Sequence, residues 1–282
     1  MKKYLSLIKF SHTIFAMPFA VIGFFLAAQQ YNFEWITLLY VVLCMVFARS
    51  AAMAFNRYID RDIDKINERT AQVREIPNGT ITAEKALLFV IVNSFLFITT
   101  TYFINSLCFA LSPLALITIL GYSYTKRFTA LCHLVLGLGL SLAPIGAYLA
   151  VSGIFNLIPI LFSFVVLSWV SGFDIVYSLQ DEEFDKTQKL HSIPVLVGKK
   201  NALHLVKFLH LITILLLLKI GNYPEFGKFY WIGFSIFTIL LIYQNTLVTH
   251  NNLSKINLAF FTTNGIASVI LGVFVIIELL TN

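Results

Sequence analysis

The stretch Asn56 to Thr70, NRYIDRDIDKINERT, closes a long apolar run with a cluster of carboxylates. At helical pitch Asn56, Asp60 and Asp64 fall at i, i+4 and i+8, stacked on one face, while Asp62 points elsewhere. A second stretch, Phe173 to Lys186, FDIVYSLQDEEFDK, repeats the device with Asp174, Asp181 and Asp185 at i, i+7 and i+11. Asp60 to Asp181 and Asp64 to Asp185 are both 121 positions apart. Carboxylates converging on one place repel one another unless a cation sits among them. Asp and Asn oxygens are plentiful here and nitrogen and sulfur ligands scarce, which favours a hard divalent ion such as Mg2+. Mg2+ takes one or two carboxylates and completes its shell with waters and phosphate oxygens. Arg57, Arg61, Arg69, Arg74, Lys126, Arg127 and Lys189 add cations of the kind that hold phosphate. Together these groups suggest a metal-bridged diphosphate.

The elements that must position them are membrane helices. Of 282 residues 58% are hydrophobic and 12% charged, and the mean hydropathy is +0.83, too apolar for a soluble domain. Nine apolar segments recur along the chain, each about 20 residues and so long enough as a helix to cross a hydrocarbon core of roughly 30 Å. The expected fold is all-α, a polytopic bundle of nine transmembrane helices forming a single domain over residues 1–282. The net charge of +6 does not point to nucleic acid, because the basic residues are scattered between apolar spans. Cys44, Cys108 and Cys132 match no metal or redox spacing and read as small hydrophobes. Lys2, Lys3 and Lys9 precede an apolar run with no small-residue cleavage site, so that run reads as a first membrane helix and not as a leader.

In order, the first span covers about Phe10 to Gln29 with a kink at Pro18, and the second about Phe33 to Asp60. A polar stretch from Arg61 to Lys85 holds a turn at Pro77-Asn78-Gly79, and the third span follows to about Phe103. The fourth ends near Tyr122, ahead of Tyr122 to Arg127. The fifth, about His133 to Val151, carries Gly137, Gly139, Ser141, Ala143 and Gly146, small residues that allow close helix approach. The sixth runs from about Leu157 into the second carboxylate stretch, and a polar loop follows from Lys186 to Lys200. The last three cover about Ala202 to Ile220, Phe229 to Val248 and Leu258 to Leu280, with no acidic residue before Glu278. They read as scaffold and as walls of an apolar cavity.

Placing the N-terminus inside puts sixteen or seventeen of the twenty Lys and Arg on the inner side, with only Lys219 and Lys228 outside. Both carboxylate stretches, Tyr122 to Arg127 and the His191 loop then meet at one inner face. Arg49 lies seven residues before Asn56, on the same helix face and about 10 Å deeper. A charge at that depth is a functional candidate by default. The bland alternative is a buried partner for a carboxylate.

A single DxxxD at a helix end is more often a solvated cap than a site. Two copies on one side, each followed by a basic loop, favour the site, while Asp62, Glu68, Glu182 and Glu183, off the stripes, read as solvated. A cation-coupled transporter is the rival class, but it needs ionisable residues near the midplane of several helices, and the third, fifth, seventh and eighth spans offer almost none.

NxxxDxxxD in the second span, DxxxD ending the sixth, and nine apolar spans resemble the UbiA superfamily of intramembrane prenyltransferases. The likeness covers essentially the whole chain and extends to Arg49, Arg69-Thr70, Pro77 to Gly79, Lys126-Arg127, and Tyr177 to Asp181 followed by Ser192 and Gly198. Within the superfamily it is most similar to the 4-hydroxybenzoate polyprenyltransferase branch, including relatives associated with menaquinone synthesis. It departs from many members in having Arg57 directly after the motif Asn, His191 in place of Lys, and the segment Arg74-Glu-Ile-Pro77. The resemblance implies Mg-dependent transfer of a polyprenyl group from its diphosphate to an aromatic acid, such as 4-hydroxybenzoate in ubiquinone or menaquinone biosynthesis. Naphthoate, homogentisate, haem or glycerophosphate are the alternative acceptors. It implies that Asp60, Asp64, Asp181 and Asp185 hold the metal, with Asn56 as an added ligand, and that Arg57, Arg69, Lys126, Arg127 and Lys189 hold the diphosphate. Arg49, Asp174 and Tyr177 are the acceptor-side candidates. The implied setting is a bacterial cytoplasmic membrane with the active-site loops facing the cytoplasm.

Overall fold

The structure, a computed structural model, describes residues 2–8 and 15–281. Among the described residues the only extended pairing is one antiparallel bridge, Thr249 to Asn252, so the all-α expectation holds. In chain order the helices are α1 Lys2–Leu7, α2 Met17–Ala28, α3 Trp35–Ile59, α4 Arg61–Ile66, α5 Glu68–Ala71, α6 Ala83–Ile104 and α7 Ser106–Thr125. They continue as α8 Cys132–Ser152, α9 Leu157–Ser178, α10 Glu182–Thr187, α11 Ile193–Gly221, α12 Lys228–Leu247 and α13 Asn264–Thr281. Eight helices are long and apolar enough to cross a membrane, counting α9 with its continuation to Thr187 and α13 with a π turn at Leu258–Thr263. The ninth expected span corresponds to the shorter α2. Residues 9–14, Lys9 and Phe10 among them, lie outside the described set. Pro18 does not kink α2. It stands in the first turn, where its missing N–H leaves no intrahelical bond unmade.

Side-chain caps explain where four of the eight spans begin. Thr82 accepts the Lys85 N–H at the start of α6, Asn105 the Cys108 N–H of α7, Asn156 the Ile158 N–H of α9, and Ser192 the Val195 N–H of α11. The expected seventh span starts at Ala202, but Ser192 and Pro194 initiate the helix nine residues earlier, at Ile193. Gly198, with φ 77° and ψ 161°, then breaks it, a conformation that glycine adopts without a Cβ penalty. Ser6 donates to Glu75 at 2.5 Å and Leu7 is buried against Ala51 and Ala54, which ties α1 to the polar stretch after α3.

The buried centre lies around α9. Trp169 packs against Phe19, Phe173 and Phe237, with ring centroids 5.1 to 5.7 Å apart. Its indole N–H donates to Asn264 Oδ1 at 3.0 Å, and the Asn264 amide donates in turn to the carbonyls of Ala259 and Phe260. The carbonyls that a π turn displaces from regular pairing are thus satisfied by one side chain. On α8 only part of the expected small-residue contact is used. A Cβ on Gly137 would come 2.7 Å from the Leu167 carbonyl oxygen, whereas Gly146 has open space around it. We expect Gly137→Ala to force α8 and α9 apart at a cost of about 1–3 kcal/mol, lowering the melting temperature in detergent, and Gly146→Ala to leave it unchanged.

Consecutive antiparallel helices put the connections at 60–82, 126–131, 188–192 and 248–257 at one end of the bundle. Contacts between them confirm the grouping, such as the Arg127 guanidinium on the Ile59 carbonyl and the His191 N–H on the Lys126 carbonyl.

Candidate active site

Both carboxylate stretches sit at helix breaks, not on the continuous helices that their spacing suggests. α3 ends at Ile59, and Asp60, with φ −88° and ψ 3°, bends the chain into α4. The i to i+4 relation survives the bend, since the Asp60 N–H bonds to the Asn56 carbonyl and the Asp64 N–H to that of Asp60. Carbonyls freed at the break are taken up by arginine side chains, Tyr58 by Arg61 and Ile59 by Arg127. On the other side a 3-10 turn, Leu179–Asp181, separates α9 from α10, and Gln180 donates to the Tyr177 carbonyl there.

The two breaks face each other across one cleft in which four acids meet four bases one to one. Asp60 pairs with Arg127 at 3.0 Å, Asp181 with Arg69 at 2.5 Å, Asp185 with Lys126 at 2.8 Å, and Asp64 with Arg74. All eight side chains line the cleft, together with Asn67 and Thr70. Arg69 is bidentate, its Nε donating to the second Asp181 oxygen at 3.0 Å, and Asn67 donates to the same oxygen at 3.4 Å. Three of the four pairs join residues 59, 67 and 112 positions apart in sequence. Burial raises the Asp60 carboxyl above the usual carboxylate range; Arg127 opposes the rise and Asp64 adds to it.

Behind the cleft, Asn56 donates to Asp60 at 2.8 Å and accepts from Arg57 at 3.0 Å. Arg57 is buried and does not line the cleft, so its place among the cations is taken by Arg74. Lys189 is exposed on the loop after α10 and also lies outside the lining. Tyr177 accepts from Arg69 at 3.0 Å and packs, tilted by 33°, against Phe260 of the π turn with ring centroids 4.3 Å apart. Arg49 lies deeper in α3. Its Nε is buried without a hydrogen-bond partner, and no carboxylate pairs with it among the described residues. The bland reading of Arg49 as a carboxylate's partner is therefore not what the structure holds there.

Asp62, Glu68 and Glu183 are exposed, as the solvated reading expects. Glu182 is not. It is buried between Lys186 at 2.6 Å and Lys199 at 3.6 Å, because the 3-10 turn rotates it inward against α11. Asn67 and Thr70 escape the sequence reading. Asn67 caps α5, and Thr70 donates to the Asp64 carbonyl at 2.9 Å, so both hold the cleft wall in shape. The one available signal is an Asn directly before the short Glu68-Arg69-Thr70 run.

The donors of the cleft are oxygens, in keeping with a hard cation. Among the described residues no three His, Cys, Asp or Glu side chains gather into a cage. The carboxylate and amide oxygens of the lining suit an ion that completes its shell with water and ligand oxygens, which is the habit of Mg2+.

The sequence profile of the UbiA prenyltransferase family matches residues 16–266. The chain is 31% identical over 241 residues to the 4-hydroxybenzoate octaprenyltransferase of Vibrio parahaemolyticus, covering 84% of this chain and 83% of that one. It aligns with the structure of a UbiA homologue from Aeropyrum pernix at a TM-score of 0.85 and 29% identity, covering 95% of this chain and 98% of that one. A UbiA homologue from Archaeoglobus fulgidus bound to DMAPP and Mg2+ shares the fold, with a TM-score of 0.75 and 22% identity over 99% and 100% of the two chains. With a profile match over most of its length and a bundle whose broken helices bring two aspartate motifs to one cleft, this membrane protein belongs to the UbiA prenyltransferase family.

Proposed function

We propose that the protein transfers a polyprenyl group from its diphosphate to the ring of an aromatic acid such as 4-hydroxybenzoate, with Mg2+ at the carboxylates. The reading rests above all on the matching of Asp60, Asp64, Asp181 and Asp185 with Arg127, Arg74, Arg69 and Lys126. Such a cleft accepts a metal diphosphate by exchange of partners, the carboxylates turning to cations and the basic groups to phosphate oxygens. The names of the Vibrio relatives and the DMAPP and GPP complexes of the Archaeoglobus homologue support the same substrate classes. Asp60, Asp64, Asp181 and Asp185, with Asn56 behind them, would hold the metal. When bound, Mg2+ neutralises charge on the departing diphosphate. Arg69, Arg74, Lys126 and Arg127 hold the phosphate oxygens, with Arg57 and Lys189 as outlying cations. Arg49, Asp174 and Tyr177 serve the acceptor, Arg49 by holding its carboxylate. The bundle keeps water from the allylic cation until the ring carbon beside the hydroxyl attacks it.

The test is incubation of the purified protein in detergent with labelled polyprenyl diphosphates and a panel of acceptors, with and without Mg2+. Prenylated 4-hydroxybenzoate is the expected product. Turnover only of naphthoate, homogentisate or a glycerophosphate would overturn the acceptor assignment.

We further place the chain, as one catalytic domain, in a bacterial cytoplasmic membrane with its N-terminus and cleft on the cytoplasmic side. The distribution of Lys and Arg supports this, with Lys219 and Lys228 at the opposite end of the bundle from the cleft. Reporter fusions after Arg74 and after Lys199 should both read inside and a fusion after Asn282 outside. Opposite sides for the first two would contradict a shared site.

A further inference from the structure

Deeper than the cleft, α8 and α9 hold an acidic group that the metal chemistry leaves unused. His133 Nδ1 lies 2.7 Å from Asp174 Oδ2. The other ring nitrogen, Nε2, accepts the Ile193 amide N–H at 3.3 Å, which assigns the imidazole proton to Nδ1 and directs it at the carboxylate. The His133 side chain is 4% exposed, whereas Asp174 keeps 22% although its neighbours Phe173 and Ile175 are buried. The carboxylate thus keeps accessible surface, and among the described residues no hydrogen bond reaches its Oδ1. Tyr122, near the end of α7, lies within electrostatic reach of Asp174, Asp60, Arg57 and Arg49.

Depth relates Arg49 to Asp174. Asp60 and Asp181 both line the cleft, Arg49 lies eleven residues before the one, and Asp174 seven before the other. With the α-helical rise of about 1.5 Å per residue, and about 2 Å through the 3-10 turn, this sets Arg49 about 5 Å deeper along the helices. That is close to the span from the carboxylate of a benzoic acid to a hydroxyl at its para position. A para-hydroxy acid held by its carboxylate at Arg49 would bring its hydroxyl to the open oxygen of Asp174.

We propose that Asp174 is a catalytic base, taking the hydroxyl proton of a phenolic acceptor, and that His133 is a positioning residue that aims the Asp174 carboxylate. This rests on the phenolic-acid reading given above. As the prenyl carbon leaves the diphosphate oxygen, which keeps the bonding pair, the ring carbon beside the hydroxyl forms the new C–C bond. The hydroxyl proton moves to Asp174, leaving a neutral dienone. The hydrogen on the substituted ring carbon then departs as a proton to the released diphosphate, and Asp174 returns its proton to the oxygen, restoring the phenol. The base prevents a full positive charge from resting on the ring during bond formation.

The experiment compares full-length wild type and variants in detergent on 4-hydroxybenzoate and on 2-fluoro-4-hydroxybenzoate, whose hydroxyl is more acidic and whose ring positions beside it are free. Asp174→Asn keeps the shape of the side chain. It should lower kcat on 4-hydroxybenzoate by about 10²–10⁴-fold with the KM for polyprenyl diphosphate unchanged, and the deficit should shrink on the fluorinated acid. His133→Leu should reproduce part of the loss, and His133→Asn, whose amide can still donate to Asp174, should recover it. If Asp174→Asn fails to fold, the two His133 variants decide the matter by the same comparison of acceptors. A deficit equal on both acids, or none, would overturn the base assignment alone. A wild type that prenylates neither acid would overturn the acceptor reading, and the proposal with it.

Discussion

Asp181→Ala and Asp60→Ala should each lower turnover by about 10²–10³-fold, because one preorganised group stabilising charge in a transition state commonly supplies about 3 kcal/mol. Both carboxylates line the cleft where the diphosphate would depart. Each is paired to a cation, Asp181 to Arg69 and Asp60 to Arg127, whose side chains keep about a third and a quarter of their surface open to solvent. The cation left behind by either substitution is therefore not sealed in an apolar interior, and the variants should fold. Turnover at saturating substrate, with melting temperature as a control for folding, measures the effect. Glu183→Ala should leave both quantities unchanged, since that side chain is 80% exposed and lies 3.8 Å from the half-exposed Lys186. Excess chelator should reproduce the loss in the wild type. Full activity in chelator, or a wild-type rate for either Asp variant, would remove these carboxylates from the chemistry.

Arg49→Ala should raise the KM for the aromatic acid far more than that for the polyprenyl diphosphate. The side chain lies two helical turns below Asn56, about 10 Å deeper than that residue, and its Nε has no partner among the described residues. A buried charge without a protein partner is costly, and an anionic ligand offsets that cost. Removing one member of a buried ion pair typically costs about 3–5 kcal/mol, which corresponds to more than a hundredfold in acceptor KM. The effect should fade for an acceptor that lacks the carboxylate. Lys126→Ala should behave in reverse, because Lys126 stands in the cleft on Asp185. Equal weakening of both substrates by Arg49→Ala would return Arg49 to a structural role.

Local patterns along the chain are enough to set the bundle and the membership of its two acidic motifs. Apolar runs long enough to span a bilayer leave helices as the natural way to satisfy their backbone groups. The spacing of Asn56, Asp60 and Asp64, and of Asp181 and Asp185, is a local property of helical pitch that survives even where the helices break. Arg49 was legible for a similar reason, since its face follows from counting residues to Asn56. Partner choice was not legible. Arg57 adjoins the motif in sequence yet turns behind Asn56, while Arg74, seventeen residues further on, reaches Asp64 across the folded-back stretch between α3 and α6. Glu182 looked solvated until the 3-10 turn rotated it between two lysines. His133, a lone histidine in an apolar span, gained significance only when α8 packed on α9 and placed Asp174 2.7 Å away. Helical periodicity constrains neighbours within a turn or two of one helix. Which cation meets which carboxylate across 59 to 112 residues of chain depends on where helices bend and how closely they pack, and those are decided by the tertiary structure as a whole.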